Sequence, residues 1–328
     1  MKKRRARIVV IGGGTGLSTL LRGLKNYYFD ITAIVTVADD GGSSGRLRDD
    51  YDIPPPGDVR NVIAALSEVE PLVEEMFQFR FKSTSDLDGH SLGNLMLTAL
   101  TEITGDFSHA ISEMSKVLNV NGRVLPAANK KVTLNAKLRD GSIISGESKI
   151  PNCGQPIDYV FLEPEQVLAL PAAIRHIKRA DYILIGPGSL YTSIIPNLLV
   201  KEIGDAVVAS PAHKLYICNL MTQKGETLHY TAADHVKAIH AHVGQPFIQS
   251  ILVNDADTND VPELIKESYL EENSEPVHFD IRNLEQMGIR VIKRDIATII
   301  DGVIRHNAMN VAEFLHEFVY ELNDNHLV

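Results

Sequence analysis

The feature that most constrains this chain is residues 8–18, a short apolar stretch followed by a glycine-rich turn and a helix. The apolar residues are β-branched, which is typical of a strand buried on both faces of a parallel sheet. The turn consists of small residues: Gly12, Gly13, Gly14, Thr15 and Gly16. Glycines let a backbone turn tightly and approach a bound group, and the N–H groups at a helix N-terminus attract phosphate. The stretch therefore predicts an α/β fold with a phosphate site, unless the glycines only pack the strand against the helix.

The composition narrows the classes of function. The net charge of −10 argues against a general nucleic-acid binder, because such proteins neutralise phosphates with Lys and Arg. Cys153 and Cys218 form no metal-ligand spacing and no disulfide framework, so we expect a cytoplasmic protein. The apolar runs are too short for a membrane span. With 328 residues and no low-complexity linker, the chain is expected to form a single domain over residues 1–328.

A second predicted strand, residues 31–38, leads into an acidic Gly/Ser-rich loop over residues 39–46. Asp39 stands near the position where a dinucleotide-binding fold holds a ribose hydroxyl. Two features argue against a nicotinamide site: Leu17 replaces the last glycine of G-x-G-x-x-G, and the loop adds a second acid, Asp40. Such a loop suits a second phosphate or a metal ion. An NAD-dependent oxidoreductase is therefore the least favoured function.

Polar residues stand at the start of two further predicted helices. Asp58 follows three prolines and a glycine, where a carboxylate caps its own helix or binds a ligand, and both roles stay open. Asn61 follows three residues later. His90 and Asn94 lie in a Gly-His-Ser-Leu-Gly-Asn string before an apolar helix. This string resembles a polar helix entry into a site, although a single histidine is more often structural.

The pattern changes over residues 130–165. Apolar and polar residues alternate from Val132 to Leu138 and Asp140-Gly141 forms a turn, which predicts a β-hairpin excursion from the main sheet. This excursion suits a cap or the surface of a homodimer. Parallel α/β alternation resumes with a helix over residues 171–179 and a strand over residues 182–185. A short strand is also expected at residues 277–279.

A second glycine-rich loop follows the strand at residues 182–185. Its candidate ligand-binding residues, with those after the next strand, are Gly186, Gly188, Ser189, Leu190, Thr192, Asn219 and Thr222. Because parallel strands end at one edge of a sheet, the loops 12–16, 39–46 and 186–193 are expected to border one crevice and hold a diphosphate. Asp255 and Asp257 have the D-x-D spacing of a sugar-nucleotide metal site, a spacing that is more common in surface turns.

Strings of residues along the chain resemble the 2-phospho-L-lactate transferase-like family and, within it, the bacterial gluconeogenesis-factor group. They are residues 10–18, 38–48, 55–61, 90–95 and 186–198. The resemblance implies a Rossmann-like three-layer α/β/α sandwich with a mostly parallel sheet. Transferases of this family move phospholactate from a guanine nucleotide carrier onto a deazaflavin precursor. Their metal ion, Mg²⁺ for example, would be held by aspartates that match Asp40 and Asp58.

The gluconeogenesis-factor group implies a different role. Its members look like cytoplasmic regulators that bind a UDP-sugar such as UDP-N-acetylglucosamine and support cell shape and wall synthesis on gluconeogenic carbon sources. The resemblance implies partners among cell-wall synthesis or regulatory proteins, with no certain cofactor and no established catalytic activity. By analogy, Tyr269 and Arg305 are expected at the sugar and diphosphate end of the pocket, where an aromatic ring and a fixed charge fit.

Overall fold

Residues 8–18 form the predicted strand, turn and helix. The computed structural model describes residues 4–255 and 262–325, and in it a strand ends at Gly12 and a helix begins at Gly14. Asp257, the second aspartate of the D-x-D pair, lies outside the described residues. The strands are β1 (Ala6–Gly12), β2 (Phe29–Val35), β3 (Arg123–Pro126), β4 (Thr133–Leu138), β5 (Ile143–Ser145), β6 (Ile157–Glu163), β7 (Tyr182–Ile185), β8 (His213–Ile217), β9 (Ser250–Asn254), β10 (Arg290–Arg294), β11 (Ala297–Ile300) and β12 (Val303–His306).

Helices connect these strands and begin close to the predicted positions. They are α1 (Gly14–Leu24), α2 (Gly42–Tyr51), α3 (Gly57–Leu66), α4 (Pro71–Gln78), α5 (Leu92–Thr104), α6 (Phe107–Val117), α7 (Pro171–Arg179), α8 (Ile195–Leu199), α9 (Lys201–Ala209), α10 (Ala232–Val243), α11 (Glu263–Glu271), α12 (Ile281–Gln286) and α13 (Ala308–Asn325). A π-helical turn, Leu190–Ile194, precedes α8. No helix within the described ranges is long and apolar enough to cross a membrane.

Seven of the strands form one parallel sheet in the order β10-β9-β8-β7-β1-β2-β3. Side chains alternate between its two faces, so Ile8 and Val10 of β1 pack into one apolar core while Val9 and Ile11 pack into the other. Helices α1, α3, α5 and α13 cover the first face, and helices α7 to α10 cover the second. The predicted Rossmann-like three-layer α/β/α sandwich is therefore confirmed.

The strand order reverses between β1 and β7. The chain moves from β1 to β2 and β3 on one side, then returns to place β7, β8, β9 and β10 on the other side. The connections after β1 and β7 therefore diverge to opposite faces and leave a crevice between them. Ligands of open α/β sheets bind at such a point, at the carboxyl ends of the strands.

The predicted antiparallel excursion is also present. Strands β5, β4 and β6 form a separate three-stranded sheet, with the turn at residues 140–141 between β4 and β5. A second small sheet pairs β11 with β12. The expected strand at residues 277–279 is wrong. The N–H of Val277 donates to the Leu220 carbonyl and the His278 carbonyl accepts from Ala232, so this segment is bonded to the loop after β8 and to the start of α10.

Candidate functional site

A cleft of about 470 Å³ lies at the carboxyl ends of β1 and β7, where the strand order reverses. The structure brings half of the residues predicted for the site into its lining: Gly13, Gly14, Thr15, Gly16, Gly188, Ser189, Asn219, Thr222, Tyr269 and Arg305. The expectation that the loops 12–16 and 186–193 share a crevice is confirmed. The loop at residues 39–46 is not part of this lining, and its place beside a ligand stays a prediction.

The two glycine loops touch each other directly. A Cβ built on Gly16 would lie 2.8 Å from the Pro187 carbonyl oxygen and 3.1 Å from the Gly188 nitrogen. Gly186 has a φ of +79°, which favours glycine, and its N–H donates to the Ile11 carbonyl. Gly12 and Gly186 therefore lie behind the cleft and hold the loops in place. Gly16 is needed because it lets one loop rest on the other.

A carboxyl group accepts a hydrogen bond from the first N–H of helix α1. The N–H of Gly14 donates to Oδ2 of Asp58 over 2.8 Å. Asp58 lies in the first turn of α3 but makes no capping hydrogen bond to that helix. Its carboxyl group instead accepts from the start of α1. The N–H groups of Thr15 and Gly16 have no acceptor in the described part of the chain. These two donors remain for a ligand.

A second carboxyl group accepts hydrogen bonds at the start of the π-helical turn. Oε2 of Glu226 accepts from the N–H of Tyr191 and Oε1 accepts from the hydroxyl of Thr192, both over 3.0 Å. Glu226, Leu190 and Thr192 are all buried, and none of them lines the cleft. The hydroxyl of Thr192 therefore fixes the loop from inside. Burial raises the pKa of Glu226 above its ordinary value.

Side chains that follow β8 hold the second glycine loop from the other side. The amide of Asn219 donates to the Gly188 carbonyl over 3.0 Å, and its oxygen accepts from Tyr216 over 3.0 Å. Gln223 donates to the hydroxyl of Ser189 over 3.0 Å. Thr222 accepts from the N–H of Glu275, which attaches the segment after α11 to the rim of the cleft.

The β11–β12 hairpin forms the opposite wall. The N–H of Ile304 donates to the hydroxyl of Tyr269 over 3.0 Å, which fixes the tyrosine ring beside the cleft. Arg305 is exposed and makes no ion pair with any described residue, and the same holds for Lys224. Nε2 of His306 lies 3.0 Å from the Cys218 carbonyl, and burial lowers the pKa of this histidine to about 4. The cleft therefore presents two cations without an ion pair among the described residues, the carboxylate of Glu272 and a neutral imidazole.

The remaining acidic candidates lie outside the cleft. Oδ1 of Asp39 accepts from Gly41 and Oδ1 of Asp40 accepts from Ser148. Burial, with the charge of Asp39, raises the pKa of Asp58 to about 7. In the described ranges, no three His, Cys, Asp or Glu side chains are arranged as metal ligands. Asp40 and Asp58 therefore do not fit a preformed metal site, and their metal role stays a prediction.

His90 and Asn94 form a buried cluster with Ser43, also outside the cleft. Asn94 donates to the hydroxyl of Ser43 over 3.0 Å, so that hydroxyl is free to donate to Nδ1 of His90, 3.0 Å away. The amide oxygen of Asn61 accepts from Arg60. These contacts attach α2 to α5 and order α3. These bonds support a structural role for His90, which is the role that a single histidine most often has.

Sequence reasoning missed several lining residues. They are Thr19, Pro151, Asn152, Gln223, Lys224, Glu272 and His306. Lys224 directly follows the polar stretch 219–223, so a cation beside a predicted strand end was an available signal. Pro151 and Asn152 reach the cleft from the antiparallel excursion, and no local pattern indicates that contact.

Comparisons with known proteins agree with this architecture. The family model described as 2-phospho-L-lactate transferase CofD matches residues 8–297. The gluconeogenesis factor of Bacillus subtilis (strain 168) is 61% identical over 318 residues, which are 97% of this chain and 99% of that protein. The gluconeogenesis factor of Halalkalibacterium halodurans is 54% identical and covers 97% of each chain.

A solved structure is similar over nearly the whole length. The crystal structure of a Bacillus halodurans protein matches with a TM-score of 0.92 at 54% identity, and covers 95% of this chain and 99% of that one. The family model covers residues 8–297, and these relatives and this structure each cover 95% or more of the chain. The chain therefore belongs to the 2-phospho-L-lactate transferase CofD family and, by its similarity to these relatives, to the gluconeogenesis-factor group within it.

Proposed function

We propose that this protein is a cytoplasmic regulator whose cleft binds a UDP-sugar of the UDP-N-acetylglucosamine type, and whose occupancy changes its contacts with cell-wall synthesis or regulatory proteins. The observation that carries the proposal is the unpaired guanidinium of Arg305 on the lining of the cleft that also holds the start of α1. A cleft of about 470 Å³ is in the ordinary range for a small-molecule site. The names of the relatives support the gluconeogenic context.

The diphosphate is assigned to the rim where donors and cations meet. Thr15 and Gly16 offer free N–H groups at the positive end of α1, and Arg305 and Lys224 add charge. Hydrogen bonds to charged groups contribute about 1.5–3 kcal/mol each, so four of them yield micromolar affinity after the cost of association. The site therefore needs no basic surface beyond the cleft.

The sugar or base is assigned to the wall formed by Tyr269. Its hydroxyl accepts from Ile304, so the ring is held in one orientation and a planar or sugar ring stacks on it without a large loss of entropy. Asn152 and Gln223 add amide groups that donate and accept on the same lining. These side chains suit the polar edges of a pyrimidine and the hydroxyls of a sugar.

The lining favours binding over turnover. Among the described residues that line it, the only carboxylate is that of Glu272. The imidazole of His306 is bonded to a backbone carbonyl, and burial lowers the pKa of this imidazole to about 4. General acid–base catalysis near neutral pH needs a group that titrates there. A regulator that binds and releases its ligand unchanged needs no such group.

The second candidate is a metal-dependent phospholactyl-type transferase that uses a guanine nucleotide carrier and a deazaflavin acceptor. The match to the family model over residues 8–297 favours it. The aspartates that match the metal ligands, Asp40 and Asp58, accept from backbone N–H groups of separate segments. This reading requires those bonds to be exchanged for metal ligation when substrate binds.

Isothermal titration of the full chain with UDP-N-acetylglucosamine, GDP with Mg²⁺, and NADH separates the alternatives. We expect saturable binding of the UDP-sugar alone, weakened about tenfold or more in Arg305→Gln. The matched control is Arg282→Gln, because Arg282 is exposed on α12 and lies outside the cleft. Binding of GDP alone, or equal affinities for the two variants, would overturn the proposal.

A further inference from the structure

A second cavity, of about 170 Å³, lies at the opposite edge of the main sheet, where its strands begin. Its floor is the amino end of β1 and β2, and its wall is the last turn of α7. Arg7 at this edge and Gly12, directly behind the cleft, are five residues apart in β1, which corresponds to ~17 Å of strand. The cavity is therefore distinct from the cleft.

The alternation of side chains along the strands makes this cavity polar. On the face of the sheet that α7 covers, β1 and β2 contribute apolar residues near their carboxyl ends, including Ile11 and Ile34. Toward the amino ends the same face carries Arg7, Asp30 and Thr32, and β3 adds Arg123. On this face of the sheet, polar and charged side chains therefore take the place of apolar ones toward the amino ends of the strands.

The cavity carries a local positive charge in an acidic protein. Arg7, Arg123 and Arg179 give +3 and Asp30 gives −1, so the lining is +2 while the chain is −10. Asp181, the ion-pair partner of Arg7, also contacts Arg4. Asp181 and Arg4 carry opposite charges, so counting both leaves the net charge of the lining unchanged. Arg123 pairs with Asp30.

Arg179 and His176 provide the unsatisfied groups. Arg179 is exposed and has no ion-pair partner within residues 4–255 and 262–325. Nδ1 of His176 lies 3.2 Å from the hydroxyl of Thr32, which is 2% exposed, so the imidazole is held in place with Nε2 unbonded. A fixed imidazole donor beside two guanidinium groups suits an oxyanion such as phosphate. The small volume excludes a nucleotide.

We propose that this cavity is a binding site for a small phosphate-bearing anion. Arg179 supplies the uncompensated charge, and Arg123 shares its guanidinium between Asp30 and the anion. His176 donates from Nε2 while Thr32 holds its ring. The ligand is inorganic phosphate or a small phosphate monoester, because both carry the same group and fit the same donors.

The test is isothermal titration of the full chain with inorganic phosphate and with glycerol 2-phosphate at constant ionic strength. We expect saturable binding of one anion per chain, and the tighter of the two probes identifies the source of the phosphate group. Arg179→Gln should weaken binding about tenfold or more, because a charged hydrogen-bond donor is lost. Lys178→Gln is the control, because it removes the same charge from the same turn of α7 but lies outside the lining.

Three results would overturn the proposal. Binding that does not saturate would indicate a general ionic effect, and equal affinities for Arg179→Gln and Lys178→Gln would exclude the cavity. Loss of binding in Arg305→Gln would locate the anion in the nucleotide cleft. Thermal unfolding of Arg179→Gln should match the wild type, since this exposed side chain has no ion pair to lose. The two sites therefore fail or succeed independently.

Discussion

Replacing Gly16 by alanine tests whether the cleft depends on direct contact between the two glycine loops. The added Cβ would lie 2.8 Å from the Pro187 carbonyl oxygen and 3.1 Å from the Gly188 nitrogen. Both are backbone atoms, so the second loop must shift as a unit. Gly12 provides a matched control, because a Cβ there would lie 3.6 Å from its nearest neighbour, an ordinary van der Waals contact.

The magnitude follows from two opposing effects. Overpacking a well-packed site costs about 1–3 kcal/mol. Alanine in place of glycine inside a helix returns up to about 1 kcal/mol. Gly16→Ala should therefore lower the free energy of unfolding by about 1–2 kcal/mol, whereas Gly12→Ala should change it by less than about 0.5 kcal/mol.

Urea unfolding followed by circular dichroism measures this difference, and isothermal titration measures its effect on the ligand. The displaced loop should also weaken UDP-N-acetylglucosamine binding about tenfold, the equivalent of one lost hydrogen bond to a charged group. If Gly12→Ala and Gly16→Ala unfold at the same urea concentration and bind equally, the two loops do not need to touch. The reasoning about Gly16 would then be refuted.

Three further predictions concern polar groups near the cleft and its loops. The pKa of Asp58 is raised to about 7 and that of Glu147 to about 8, chiefly by burial, so the folded protein holds protons that the unfolded chain releases. These two groups should make stability fall as pH rises from about 4 to about 8, whereas buried imidazoles such as His306 act in the opposite direction below about pH 6.5. The test is therefore the difference between two proteins: in urea titrations the stability of Asp58→Asn relative to the wild type should rise across this range, and a constant difference contradicts this. Glu226→Ala leaves two buried donors unpaired and should cost about 2 kcal/mol or more in urea unfolding, with a smaller loss in Glu226→Gln. Tyr269→Phe removes the acceptor of the Ile304 N–H but keeps the ring, so amide exchange at Ile304 should accelerate while UDP-sugar affinity falls less than in Tyr269→Ala.

Regular periodicity made much of the fold predictable. The helix expected over residues 171–179 and the strand expected over 182–185 are present as Pro171–Arg179 and Tyr182–Ile185. The turn at residues 140–141 separates two antiparallel strands as expected. Each of these elements carries apolar residues at regular spacing. Folding buries those residues together on one side of the element, so their spacing in the sequence predicts the element.

The site was less predictable because its contacts join distant parts of the chain. Asp58 has the sequence position of an N-cap, yet its carboxyl group accepts from Gly14, 44 residues away. Residues 277–279 follow a proline and have strand-like composition, but their backbone groups bond to the loop after β8 and to the start of α10. Local propensity does not encode such long-range choices. The place of Tyr269 and Arg305 on the cleft was expected only from the family resemblance.

The two internal carboxyl groups change how the cleft attracts an anion. Asp58 and Glu226 each accept from the first N–H groups of a glycine loop, so part of the positive potential at those N-termini is already neutralised. Attraction of a diphosphate must therefore depend on Arg305 and Lys224, which are exposed and screened by salt. We expect UDP-N-acetylglucosamine affinity to fall steadily between low salt and about 0.5 M salt, and this dependence to be shallower in Arg305→Gln. If the affinity does not change with salt concentration, the N–H groups of Thr15 and Gly16 bind the diphosphate without a contribution from these cations.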